Sequence, residues 1–82
     1  MWKEVESHEP FIKAWRAGKY YLQVRLWRSR YSIYLSEFEG EGIWKEVEML
    51  DTFSKEEADT AIENWKLKYD NNGWFYTNSQ IR

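Results

Sequence analysis

Apolar and polar residues alternate one for one through the middle of this chain and then change to helical spacing near its end. From Lys19 to Arg28, Tyr20, Leu22, Val24 and Leu26 fall on one side, and Tyr21, Gln23, Arg25 and Trp27 on the other. Tyr31 to Phe38 sets Tyr31, Ile33 and Leu35 against Ser32, Tyr34, Ser36 and Phe38. Ile43 to Leu50 sets Ile43, Val47 and Met49 inward against Trp44, Glu46 and Glu48. Alternation with period two marks half-buried antiparallel strands, so three strands are predicted here.

The spacing then predicts a helix from about Lys55 to Tyr69. Ser54-Lys55-Glu56-Glu57 has the form of a capping box. Phe53 and Ala58 stand where a hydrophobic staple would. Ala58, Ala61, Ile62, Trp65 and Tyr69 form one apolar stripe, and Asp70-Asn71-Asn72-Gly73 ends it. A shorter helix is predicted from Pro10 to Ala17: proline suits a first turn, Gly18 suits an exit, and Phe11, Ile12 and Trp15 share a helical face. Trp74 to Thr77 reads as a short final strand or a tail packed on the long helix.

A turn at Ser29-Arg30 pairs Leu26 with Ile33, Val24 with Leu35, Arg25 with Tyr34 and Tyr21 with Phe38, keeping inward residues beside inward ones. A second turn around Gly40-Glu41-Gly42 places Leu35 beside Val47, Phe38 beside Trp44 and Glu37 beside Lys45. Leu26, Ile33, Leu35, Val47, Ile62 and Trp65 are the expected core. Trp2-Lys3-Glu4-Val5-Glu6 recurs letter for letter as Trp44-Lys45-Glu46-Val47-Glu48, and Ile12-x-x-Trp15-Arg16 is echoed by Ile62-x-x-Trp65-Lys66. The unequal gaps exclude a regular repeat. They leave a decayed duplication or coincidence open, and make Trp2 to Glu6 a candidate edge strand.

Composition sharpens this picture at one point. Six Trp, six Tyr and four Phe occur among 82 residues. Each large ring buries roughly 150–250 Å², and so short a chain has little interior to receive them. Some rings are therefore expected at the surface. Charge is also uneven: Pro10 to Ser36 holds six basic residues and no acid, whereas Glu37 to Glu63 holds ten acids and two lysines. Such a split steers partners or draws the two halves together inside one fold.

Candidate chemistry is sparse. Without cysteine there is no disulfide, thiolate nucleophile or Cys-based zinc site, and His8 is the only histidine. The four glycines fit no phosphate loop, and the paired carboxylates fall on expected solvated faces. No cofactor, no metal and no catalysis are expected. The polar N-terminus and the absence of a long apolar run predict a soluble, cytoplasmic chain with no membrane association.

The expected fold is α+β, one domain over residues 1–82. It is a three-stranded antiparallel β-meander with a short N-terminal helix and a long C-terminal helix packed on the sheet, with candidate edge strands at both termini. Both helices can share one face of the sheet, or the first can cover the other. The helix–three strands–helix order resembles the double-stranded RNA-binding fold, whose last helix starts with lysines where this chain has Lys55-Glu56-Glu57. It also resembles that of some small acidic phage-encoded inhibitors, including anti-CRISPR proteins. No family membership follows from element order.

The expected function is non-catalytic protein binding, as a small inhibitor, plausibly phage-encoded and anti-defence or anti-CRISPR-like, or as an adaptor. The expected contact face holds Tyr21, Arg25, Trp27, Arg28, Tyr34, Phe38, Trp44 and Glu46, because Tyr, Trp and Arg dominate interface hot spots. The identity of the protein partner is open. An alternative is a sheet platform that stacks the bases of single-stranded nucleic acid, with Lys19, Arg25, Arg28 and Arg30 holding phosphates. Glu46, Glu48 and a pI near 5.4 count against nucleic acid. A third reading is a homodimer whose exposed sheet faces meet.

Overall fold

A computed structural model describes residues 1–69. They form one antiparallel sheet with five strands in chain order and one helix. The strands are β1 (Lys3–Val5), β2 (Phe11–Ala17), β3 (Tyr20–Trp27), β4 (Arg30–Gly40) and β5 (Ile43–Thr52); the helix is α1 (Lys55–Tyr69). The expected three-stranded meander with an N-terminal helix is thus corrected to five strands and no first helix among the described residues. The candidate strand at Trp2 to Glu6 is present as β1, and that at Trp74 to Thr77 lies outside the described residues. With the first helix gone, the element order that resembled the RNA-binding fold and the phage-encoded inhibitors is not the order of this chain.

The segment read as the first helix is β2, lying between β1 and β3. A segment of about two turns makes a marginal helix, whereas an interior strand shares its hydrogen bonds with neighbours on both sides. Phe11 lies opposite Arg25 and Lys13 opposite Val24, so Ile12 is the extra residue of a β-bulge. That bulge breaks the alternation and leaves a spacing that imitates a helix. Gly18, read as a helix exit, is the first residue of the two-residue β2–β3 turn, with φ of +59°. A glycine with positive φ in that position is what a type II′ hairpin turn requires.

The β3–β4 turn is Arg28-Ser29, not Ser29-Arg30. Both residues have positive φ, 51° and 67°, as a type I′ turn demands. Leu22 therefore faces Leu35, Val24 faces Ile33 and Leu26 faces Tyr31. This shifts the expected register by two residues, which preserves every side chain's face because the period is two. The second hairpin keeps Phe38 opposite Trp44 and Glu37 opposite Lys45. Beyond them Ser36 faces Glu46 but Leu35 faces Glu48, so Val47 is a bulge rather than the partner of Leu35. After it the faces of β5 reverse: Glu48, Leu50 and Thr52 turn to the helix side, and Met49 to the other.

The helix covers one face only. Leu22, Val24, Ile33 and Leu35 pack against Ala58 and Ile62, with Trp2, Trp15, Tyr20, Tyr31, Val47, Leu50, Trp65 and Tyr69 around them. Of the expected core, Ile33, Leu35 and Ile62 are buried. Val47 and Trp65 are half-buried, and Leu26 is 38% exposed because it sits at the hairpin end beyond the reach of the helix.

Ser54 caps α1, its hydroxyl accepting from the Glu57 amide at 3.1 Å. The return half of the box runs through Thr52, whose hydroxyl accepts from the Ser54 amide at 3.0 Å and donates to the Glu57 carboxylate. Phe53 is 74% exposed and makes no staple. Glu56 and Glu57 in the first turn and Lys66 and Lys68 in the last complement the helix dipole. Replacing Ser54 by Ala is expected to cost about 0.5–2 kcal/mol in urea denaturation. Ser54→Asp, which keeps an acceptor, should be close to neutral.

At its far end α1 is tied to β5. Tyr69 and Lys68 donate to the Glu48 carboxylate at 2.6 and 3.1 Å. Chiefly through the Tyr69 hydrogen bond, and then through that of Lys68, Glu48 is held below the ordinary carboxyl value. A depressed carboxyl stabilises the fold above its unfolded-state value and loses that contribution as pH falls through its own lower midpoint. Thermal melts between about pH 6 and pH 3 should therefore show a smaller loss for Glu48→Gln than for the parent chain.

Candidate functional site

Strand alternation sends the remaining large side chains to the sheet face opposite α1, and no element of the described residues covers that face. The β-ladder arranges it in rows. Lys3, Arg16, Tyr21, Ser36 and Glu46 make one row across the strands; Val5, Ala14, Gln23, Tyr34 and Met49 make the next. Phe11, Arg25, Ser32 and Asp51 form a third, Trp27 and Arg30 stand beyond it, and Phe38 with Trp44 closes the opposite end.

The rings gather in two groups. Trp44 lies 5.8 Å from Tyr21 and 5.1 Å from Phe38, centroid to centroid, with both neighbours tilted against it. The Arg16 guanidinium stands 5.1 Å over the Trp44 ring, in cation–π range. Phe11 and Tyr34 meet edge to face at 6.0 Å. Between the groups the face dips: Ala14 is fully covered by its neighbours, and a hollow of about 380 Å³ opens among Arg16, Tyr21, Gln23, Ser36 and Trp44. At the hairpin tip, the Arg28 guanidinium lies 5.6 Å over the exposed ring of Trp27.

Each residue expected at the contact face is placed there or at its edge, but in rows shifted by the corrected turn. Tyr21 faces Ser36 rather than Phe38, although its ring still reaches Trp44. Arg25 faces Ser32 rather than Tyr34. Glu48, counted among the acids of this face, is on the helix side, carried there by the Val47 bulge. Phe11 and Arg16 belong to the face and were missed; Gln23, read on the correct side of β3, was left out of the expected contact residues. Phe11 and Arg16 lay in the segment read as a helix; alternation beginning at Lys13 would have located Arg16.

The electrostatics follow from these placements. Lys3, Arg16, Arg25 and Arg30 share the face with Glu46 and Asp51, and Asp51 accepts the Ser32 hydroxyl. The ion pair Lys19–Glu37 at 3.1 Å joins the basic segment of the sequence to the acidic one. Among the described residues, Arg16, Arg25, Arg28 and Arg30 have no carboxylate within ion-pair distance. The Arg25 Nε atom is buried and has no hydrogen-bond partner there.

A second depression, about 410 Å³, lies on the helix side, between α1 and the inner faces of β2 and β3. Its floor is Trp15, Val24 and Ile62, and lysines and carboxylates both rim it. Lys66 lies 4.1 Å above the Trp15 ring. Among the described residues no group of three or more His, Asp or Glu side chains is placed to hold a metal ion. No helix among them is long and apolar enough to cross a membrane. Comparison of the chain with protein-family models, with curated proteins and with solved structures finds no match, so its family is not assigned.

Proposed function

We propose that this chain is a non-catalytic protein-binding module, an inhibitor or adaptor that acts by occupying a partner's surface with the open face of its sheet. The observation that carries this reading is the Tyr21–Phe38–Trp44 cluster capped by Arg16, on a face that no described element covers. Trp44 is 42% exposed and Met49 44% exposed at the β5 side of it. Aromatic anchors with arginine, rimmed by charge, have the make-up of an interface centre with a polar rim.

A single-stranded nucleic-acid platform is the second reading, and one observation favours it: with Glu48 on the helix side, cations outnumber acids on the open face. The ring geometry weighs against it. Base stacking needs ring faces free to take a base, whereas here Trp44 is flanked by Tyr21, Phe38 and Arg16, and Tyr34 is met by Phe11. Affinity capture with parent and Trp44→Ala baits, each with and without nuclease, separates the two. Protein binding gives nuclease-resistant partners lost on Trp44→Ala. Nucleic-acid binding gives nuclease-sensitive capture whose affinity falls steeply with salt.

A further inference from the structure

The hollow between the two ring groups has a chemistry of its own. Tyr21 and Trp44 wall it, while the side chains of Arg16, Gln23 and Ser36 offer hydrogen-bond donors from three adjacent strands. Arg16 is oriented in advance: its Nε donates to the Gly18 carbonyl at 3.3 Å, and its guanidinium rests over the Trp44 ring. Its terminal nitrogens have no partner among the described residues. A fixed guanidinium edge beside a hydroxyl and an amide matches one planar anion held by two parallel hydrogen bonds.

The surroundings restrict which anion. Lys3 stands next to Arg16 across the β1–β2 ladder, and Arg25 and Arg30 lie farther along the same face, so its field favours negative charge. Glu46, directly across from Ser36, closes the row at the β5 edge and opposes a chain of successive phosphates. We infer that the hollow receives the carboxylate of an Asp or Glu side chain from an acidic segment of the protein partner, with Trp44 and Tyr21 covering its methylene stem. This rests on the protein-binding reading above and adds the partner's chemistry to it.

A random peptide library selected on the folded chain tests the inference, with Arg16→Gln, Arg16→Lys and Trp44→Ala as comparisons and thermal melts to establish that each folds. Selected peptides should carry an Asp or Glu beside apolar residues. A synthetic copy of one should lose at least about tenfold in affinity on Arg16→Gln, the worth of one charge-assisted pair. Arg16→Lys should recover part of that loss. Changing the peptide's own acid to its amide should cost about the same, and combining it with Arg16→Gln should add little, because both changes remove one interaction. Peptides that need Trp44 but are indifferent to Arg16→Gln would overturn the carboxylate site and leave the protein-binding face standing. Peptides indifferent to both changes, an empty selection, or Arg16-dependent binding of oligodeoxythymidylate in place of any peptide would overturn the carboxylate site and the reading beneath it.

Discussion

Replacing Leu35 by Ala is expected to lower the unfolding free energy by about 2–5 kcal/mol. Leu35 is fully buried on β4, opposite the bulged part of β5 and beneath Ala58 and Ile62. Truncation removes apolar area and leaves a cavity that two β-strands and a helix cannot easily close. The effect is large against a total stability of about 5–15 kcal/mol for a domain, so the urea midpoint should fall sharply while the slope holds. Leu26→Ala, at a residue 38% exposed, should cost much less. Similar losses at both positions would contradict the limited reach of α1 over the sheet.

If the proposed protein-binding role holds, Trp44→Ala is expected to have the largest effect on binding: a loss of at least about 2 kcal/mol toward the partner, measured by calorimetry. Trp44 touches Tyr21, Phe38 and Arg16 at once, so its removal dismantles the anchor group. Its position on an edge strand, 42% exposed, keeps the cost to folding small. Arg28→Glu, at the hairpin tip, should mainly slow association, since rim charges act on encounter more than on residence. A Trp44→Ala chain that binds normally would remove this face from consideration.

Much of this architecture was legible in the residues, and what was not has a common cause. The long helix announced itself through a cap and a stripe, and it begins where the cap puts it and runs through Tyr69; the stop read at Asp70-Asn71-Asn72-Gly73 lies outside the described residues. The two faces of β3 and β4 were legible from alternation alone. Their register was not, because Arg28 and Ser29 are unusual residues for a turn with two positive φ angles. The list of face residues survived that error since a two-residue slip preserves sides, while the rows they form did not.

The larger failures lie at Ile12 and Val47. A bulge inverts the parity of everything beyond it, and no residue type marks one. Ile12 turned a strand into an apparent helix, and Val47 put Glu48 on the wrong side of the sheet. The duplicated Trp-Lys-Glu-Val-Glu segments show how little local sequence decides facing. One copy lies at each sheet edge, with Trp2 on the helix side, donating to the Lys66 carbonyl at 2.7 Å, and Trp44 on the open side. The echo of Ile12 and Trp15 in Ile62 and Trp65 joins a strand to a helix, so neither match describes a repeated structural unit.

The Val47 bulge also bears on what the two outer strands of the sheet, among the described residues, offer to another chain. Unpaired amides and carbonyls along a long, flat margin are a template for another chain's strand. At one margin, β1 offers only three residues. At the other, β5 offers ten, but the bulge divides them into Ile43 to Glu46 and Glu48 to Thr52, and a bulge is a point of added local twist. The first piece carries Lys45 and Glu46 and the second Glu48 and Asp51, so a strand continuing the ladder meets short, discontinuous and charged stretches. The extra residue that draws Glu48 to the helix side thereby also shortens the straight run of β5 that a strand of another molecule could extend.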